Sequence, residues 1–307
     1  MSMKNNTLAP IILFVYNRPW HTKQTLDALA KNELAKESVL YIYADGAKAN
    51  ATEEDLQKIK EVREVISTFK GCKEIHIIVR EKNWGLADNV IDGVTKIVNQ
   101  YEKIIVLEDD IVVSSYFLEF MNKGLDLYEN NDKVYGISGY LFFPNSQLPS
   151  TFFLPIGSSW GWATWKRAWD AFESNAEKLL QKIQDESLEK QFNFGSYPYL
   201  EMLQNQVNGI VNSWAIRFQA SIFIRKGYFL YPNQSIVKNI GMDNSGTHCK
   251  EDVYENELYE RVVNMDVQSI DKSKESIKWV RNKFENQFSK QKDTFWLRLQ
   301  TQIKKIV

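Results

Sequence analysis

The chain reads as an α/β protein: a mixed, mostly parallel sheet flanked by helices, with a helical C-terminal extension. Three observations lead there. Short, nearly uniform apolar runs recur at residues 10–17, 39–46, 74–80 and 103–110, each closing in polar or turn chemistry. The stretches between them carry apolar residues at helical rather than alternating spacing. Strands that are apolar throughout and alternate with amphipathic helices form βαβ units, whose parallel sheet is covered on both faces.

Each element has its own signature. PIILFVYN (10–17) is a β-branched run, and HTKQTLDALAKNEL after it offers Leu26, Leu29 and Leu34 near helical spacing. VLYIYADG (39–46) is a second strand closed by Asp45-Gly46. EEDLQKIKEVREVISTF repeats Leu56, Ile59, Val62, Val65, Ile66 and Phe69 along one helical stripe. EIHIIVR (74–80) is the third strand, LADNVIDGVTKIVNQY the third helix and KIIVLEDD the fourth strand. Past residue 110, SSYFLEFMNKGLDLYEN is helical, KVYGISGY resembles a strand and FFPNSQLPSTFFLPIG reads as loop. SSWGWATWKRAWDAF (158–172) concentrates tryptophan; a polar helical stretch from Glu173 to Gln191 follows. NSWAIRFQASIFIRKG is a helix ended by Gly227, and YFLYPNQSIVKNIGMDNSGTHC runs through a strand into a Gly- and Asn-rich loop. From Glu251 the chain is charged and mostly helical.

Composition narrows the function. The 307 residues are 44% hydrophobic and 25% charged, ordinary for a folded soluble protein. A formal net charge of −1 gives no electrostatic case for nucleic acid or an anionic membrane. Cys72 and Cys249 lie far apart without metal or redox spacing, which suits reduced thiols and a cytoplasmic setting. The apolar start is broken by Pro10 and Asn17, so it reads as a strand, not a signal peptide.

The fourth strand ends in Glu108, Asp109 and Asp110. Three consecutive carboxylates at the end of a buried strand repel one another and are costly to desolvate. A divalent cation with oxygen ligands resolves that cost; so does a plain solvated strand end opening the next helix. Ligands of parallel sheets bind beyond the strands' carboxyl ends. That edge gathers Asn17-Arg18, Asp45-Gly46, the stretch from Arg80 to Gly85, and the acid triplet.

With these residues in view, LEDDIVVSSYFLEFM resembles the acidic metal motif of nucleotide-sugar glycosyltransferases of the GT-A fold. It is similar to the group that includes N-acetylglucosaminyltransferase I and bacterial capsule and O-antigen transferases. FVYNRPWHTKQTLDAL, YADG, REKNWGLADNVIDGV, SSWGWATWKRAWDAF, NSWAIRF and NIGMDNSGTHC resemble further segments of that group in the same order, over roughly residues 9–250. The resemblance implies a glycosyltransferase domain over 1–250, split into a nucleotide-sugar half (1–113) and an acceptor half (114–250). Residues 251–307 then form the helical extension.

Residue by residue, the resemblance implies Asp110 and His248 as metal ligands for Mn²⁺ or Mg²⁺. It places Arg18, Asp45, Arg80, Asn83, Gly85, Leu86, Glu108 and Asp109 on a donor, most readily a UDP-sugar. Trp160, Trp162, Trp214 and Arg217 would line the sugar and acceptor side, and Trp165 is divided between that pocket and the core. The reaction implied is displacement at the anomeric carbon, inversion favoured over retention, toward a glycan or lipid-linked acceptor in bacterial surface polysaccharide synthesis. Inversion needs a general base. The chain has Asn212 and Ser213 where related sequences carry an aspartate, and Asp243 is a substitute. A binding protein that lost its base, and a nucleotidyltransferase, are the alternatives; FVYNRPWH lacks the glycine-rich phosphate loop the latter requires. The terminus DTFWLRLQTQIKKIV places Phe295, Leu299, Ile303 and Ile306 on one stripe beside Arg298, Lys304 and Lys305. Residues 295–307 therefore suit peripheral contact with a membrane's inner face or docking onto protein.

Overall fold

A computed structural model describes residues 7–243 and 257–303, with side chains described as far as residue 288. The first half follows the expected alternation. β1 (Ile11–Val15) is buried along its whole length, and Pro19 opens α1 (Pro19–Leu29) at the position where its missing N–H costs nothing. β2 (Val39–Ala44) leads to α2 (Glu53–Thr68). Reciprocal bonds between Thr52 and Asp55 cap α2, and Glu53, Glu54 and Asp55 complement its dipole. β3 (Glu74–Val79) lies at the sheet edge and is half exposed. α3 (Leu86–Tyr101) and β4 (Lys103–Glu108) complete this half.

The second half holds β5 (Ile111–Val113), α4 (Phe117–Leu127), β6 (Val134–Ser138), β7 (Thr151–Leu154) and β8 (Trp162–Trp165). Helices α5 (Lys166–Trp169), α6 (Ala176–Asp185), α7 (Glu189–Phe192), α8 (Tyr199–Val207) and α9 (Trp214–Ile224) follow. β9 (Tyr228–Pro232), β10 (Val237–Asn239) and α10 (Lys274–Ile303) close the described chain. Two strands stand where the sequence reading put loop and pocket. TFFL becomes β7, and WATW becomes β8, inserted antiparallel against β4.

The eight-stranded sheet has the order β3-β2-β1-β4-β8-β6-β9-β7, and β10 pairs with β5 in a separate two-stranded ribbon. β3, β2, β1 and β4 are mutually parallel, β6 and β9 are parallel to each other, and β8 and β7 run against their neighbours. One core cluster packs α1, α2 and α4 on one face, and another packs α3, α6 and α9 on the opposite face. The carboxyl ends of β1 to β4 therefore share one open edge. Among the described residues no helix is long and apolar enough to cross a membrane.

Candidate functional site

The register of β1 and β4 assembles the acidic end of the site. Phe14 lies opposite Glu108, so Arg18, just past β1, arrives level with Asp109 and Asp110. Arg18 Nη2 donates to Asp110 Oδ2 at 2.8 Å and also to Asp109 Oδ1. The turn is held from α1: Thr22 Oγ1 donates to the Arg18 carbonyl at 2.8 Å and Thr25 Oγ1 to the Asp109 carbonyl at 2.8 Å. Asp109 and Asp110 are only 5% and 6% exposed.

One guanidinium does not balance three carboxylates. Burial, then repulsion from Asp110 and Asp109, pushes the Glu108 carboxyl up to about 8, with Arg18 opposing. Burial lifts Asp109 to about 6 against the pull of Arg18. The same carboxylates raise the Arg18 guanidinium further above its ordinary value, outweighing its burial. The cluster is short of positive charge.

The ribbon supplies the other wall. β10 runs antiparallel to β5, with Asn239 opposite Ile111, and Ile240 N–H donates to the Asp110 carbonyl at 2.9 Å. The next residue, Gly241, lies directly against the site. A Cβ there would fall 2.1 Å from Asp110 Oδ2 and 2.7 Å from Arg18 Nη1. Asp110 Oδ1 is buried with no hydrogen-bond partner among the described residues. An orphaned, buried carboxylate oxygen within a charge-deficient acid cluster fits a divalent cation. Among the described residues no three His, Cys, Asp or Glu side chains converge into a complete cage. Among the described residues Asp110 would be the protein ligand, with other positions open to oxygens of a ligand, as hard cations at phosphate sites allow. His248 lies outside the described residues.

Asp45 is engaged by its own loop. Its carboxylate accepts from Gly46 N–H at 2.9 Å, Trp84 N–H at 2.9 Å, Gly85 N–H at 3.0 Å and Asn83 Nδ2 at 3.0 Å. Four acceptor positions are what a carboxylate has, and the loop before α3 takes them. Asn83 also donates to the Gly46 carbonyl at 2.9 Å. Gly85 adopts φ 76°, where a side chain would be strained, and Leu86 follows it exposed. Arg80 is buried: Nε donates to Asn89 Oδ1 at 3.1 Å, Nη2 pairs with Asp92, and the guanidinium stacks 3.9 Å from the Trp84 ring centroid. The loop is rigid, and Asp45 and Arg80 shape it from beneath.

The start of α9 gathers several of the residues singled out in the sequence. Ser213 is the N-cap, its hydroxyl accepting from Ile216 N–H at 3.4 Å. Asn212 is exposed; it donates to Asp88 Oδ1 at 3.3 Å and accepts from Arg217 Nη2 at 2.8 Å. Arg217 is buried beneath it, and burial lowers its pKa. These groups tie α9 to the first turn of α3. Trp162 and Trp214 stack on each other at 5.1 Å, nearly parallel, and are 1% and 4% exposed. They are buried in one core cluster, Trp162 from β8 and Trp214 from α9, while Trp165 is buried in the cluster on the opposite face of the sheet. Beside Trp162 and Trp214 lies a small pocket, lined also by Ser158 and Gln219. Trp160 is half-buried, edge-on to Tyr140.

Asp243 meets a residue that the sequence reading passed over. His21 Nε2 lies 3.1 Å from Asp243 Oδ2; the imidazole is buried and the carboxylate is 46% exposed. Arg18, His21, Thr22 and Thr25 recur at the i, i+3, i+4, i+7 spacing of one helix face, a signal present in the sequence. Gly241 carried no comparable signal.

No family model matches the chain, and no curated protein matches it. Among solved structures it is similar to S. aureus TarS at 16% identity over 43% of this chain, with a TM-score of 0.28. The chain spans 21% of the length of TarS. It is similar to the galactosyltransferase LgtC in complex with donor and acceptor sugar analogs at 10% identity, over 72% of each chain, with a TM-score of 0.39. A third likeness is to UDP-glucose pyrophosphorylase complexed with UDP-glucose, at 11% identity over 73% of this chain and 90% of that one, TM-score 0.35. These are partial, distant overlaps of fold.

Proposed function

We propose that the chain is a metal-dependent glycosyltransferase that moves a sugar from a nucleotide-diphospho-sugar, a UDP-sugar, to a glycan or lipid-linked acceptor. The observation that carries this reading is the acid cluster at the sheet's carboxyl edge, in which, among the described residues, Arg18 is the one ion-pair partner of Asp109 and Asp110 and Asp110 Oδ1 has no hydrogen-bond partner. An anionic donor alone would be repelled there; a donor accompanied by a divalent cation is matched. Asp110 would hold Mn²⁺ or Mg²⁺, which when bound supplies charge stabilisation for the leaving diphosphate. Arg18 stands within reach of the same phosphates. The loop from Asn83 to Leu86, fixed by Asp45, walls the nucleotide side.

Asp243 is the carboxylate we assign to take the proton from an acceptor hydroxyl. It is partly solvent-exposed and oriented by His21, whereas Asn212 and Ser213 are engaged in local hydrogen bonds. A carboxylate in that role favours inversion. The motif resemblance supports a place in bacterial surface polysaccharide synthesis. Peripheral membrane contact through residues 295–307 rests on side chains outside the described residues.

The engagement of both Asn212 and Ser213 also favours a second reading, a nucleotide-sugar-binding protein without turnover. A thermal-shift screen of nucleotide sugars with and without Mn²⁺ tests the first step, since a ligand at a hundred times its Kd stabilises by about 2.7 kcal/mol. A Mn²⁺-dependent shift with a UDP-sugar supports the site. Donor hydrolysis in the same samples separates enzyme from binding protein, and no shift with any nucleotide sugar contradicts both.

A further inference from the structure

Arg18 meets the acidic cluster in a way that leaves part of its hydrogen-bonding capacity unused. An arginine that serves as a permanent counterion ordinarily presents two nitrogens in parallel to one carboxylate, and that fork gives the pair its strength. Here one nitrogen, Nη2, serves both Asp109 Oδ1 and Asp110 Oδ2. Among the described residues, Nη1 of the same guanidinium is buried without a partner, and so is Asp110 Oδ1. Each orphan costs free energy in this arrangement. Their demands are of opposite sign: the carboxylate oxygen calls for a cation and the guanidinium nitrogen for an anion. Gly241, which has no side chain to fill the space, lies against both groups.

The backbone allows one to be exchanged for the other. Thr22 fixes the Arg18 carbonyl through its N–H at 3.0 Å and its hydroxyl at 2.8 Å, so the main chain stays in place. Arg18 is the N-cap of α1, and its side chain keeps 17% exposure against 8% for Asp110. The side chain has a route to swing that the carboxylate lacks.

We propose that Arg18 is an exchangeable counterion: it neutralises Asp109 and Asp110 in the cation-free protein and releases Asp110 when a divalent cation arrives with a diphosphate. The inference rests on the reading of this site as the seat of a cation and a nucleoside diphosphate, and adds a rule of cooperativity. A cation alone must compete with the guanidinium for Asp110 and leave it with Asp109 as its remaining carboxylate partner among the described residues. A diphosphate alone meets carboxylates. Together they exchange partners one for one, so each raises the other's affinity by the same factor.

The test uses the full-length protein and two probes, Mn²⁺ and UDP. Free Mn²⁺ is read by electron paramagnetic resonance and UDP affinity by calorimetry at several Mn²⁺ concentrations. Wild type is expected to bind Mn²⁺ weakly alone, with UDP and Mn²⁺ each raising the other's affinity at least tenfold. Arg18→Gln removes the competing charge, so it should bind Mn²⁺ alone several-fold more tightly, with the coupling factor falling several-fold to what the direct contact of cation and diphosphate supplies. Arg18→Lys keeps the charge but has a single nitrogen; Mn²⁺ alone should stay weak while the coupling shrinks. Arg18→Gln binding Mn²⁺ no more tightly than wild type, or keeping the full coupling, overturns the proposal and leaves the functional reading standing. Should Arg18→Gln not fold, wild-type coupling in Arg18→Lys overturns it equally. Folded wild type and variants that bind neither probe overturn both.

Discussion

Replacing Asp45 with asparagine preserves the side chain's shape and removes half of what it does. The carboxylate receives four hydrogen bonds, from the N–H groups of Gly46, Trp84 and Gly85 and from Asn83 Nδ2. An asparagine oxygen retains one pair of these, while its NH₂ group is turned toward two donors. Hydrogen bonds to a charged group contribute about 1.5–3 kcal/mol each, so losing two costs about 3–6 kcal/mol. Asp45 is 5% exposed, and water therefore does little to offset the loss. The damage is local to the loop before α3, where Trp84 stacks on Arg80. Urea denaturation with hydrogen exchange at the Trp84 and Gly85 amides is the assay. The expected result is a stability loss of that size with both amides exchanging faster. A change below about 0.5 kcal/mol, within the range of an ordinary surface substitution, with both amides still protected, would refute the assignment of Asp45 as the organiser of this loop.

Four other outcomes follow from the same geometry. Gly241→Ala drives a Cβ into Asp110 and Arg18, and an overpacking cost of about 1–3 kcal/mol is expected by thermal denaturation; a wild-type melting point would show that the ribbon yields freely. Glu108 holds its proton up to about pH 8 in the folded chain, whereas the unfolded chain sheds it near the ordinary carboxylate value. The folded state then binds more protons between those limits, so stability should fall as pH rises from about 4.5 to 8 and level off above, with Asp109 adding to the lower part of that window. Urea midpoints measured in chelator from pH 5 to 9 check the sign, and a rise across the window contradicts it. Asn212→Ala removes bonds to Asp88 and Arg217 at an exposed position, so a loss near 1 kcal/mol and turnover within a few-fold of wild type are expected; abolished turnover with intact donor binding would make Asn212 catalytic. Cys72 is buried and its thiol is pushed up to about 11, so it should resist a thiol reagent at pH 8 until the chain is unfolded.

The parallel half of the sheet was legible because its signals are local: α3 occupies the stretch read for it, Leu86–Tyr101, and β4 ends at the carboxylates that announced it. β8 was not legible. WATW is as compatible with a stacking surface as with a strand, and only its pairing with β4 and β6 decides. β7 is four residues long and follows a Pro- and Ser-bearing stretch that reads as loop. In the site, the acid triplet and Arg18 were readable as polar residues at strand ends. What they contact was not, because it depends on the β1–β4 register. Asp45 shows the limit most plainly: a carboxylate at a strand end looks available for ligand until the loop 38 to 40 residues later is folded onto it. His21 and Gly241 reach the site through α1 and the β5–β10 ribbon, and no linear spacing joins them to Asp110.

The most direct measurement of the central claim is a calorimetric titration of UDP into wild type and Asp110→Asn, each in Mn²⁺ and again in chelator. UDP should bind wild type in Mn²⁺ and lose most of its affinity in chelator, while Asp110→Asn should bind equally poorly in both. Equal affinity in all four titrations would place the nucleotide away from the acid cluster and contradict the account.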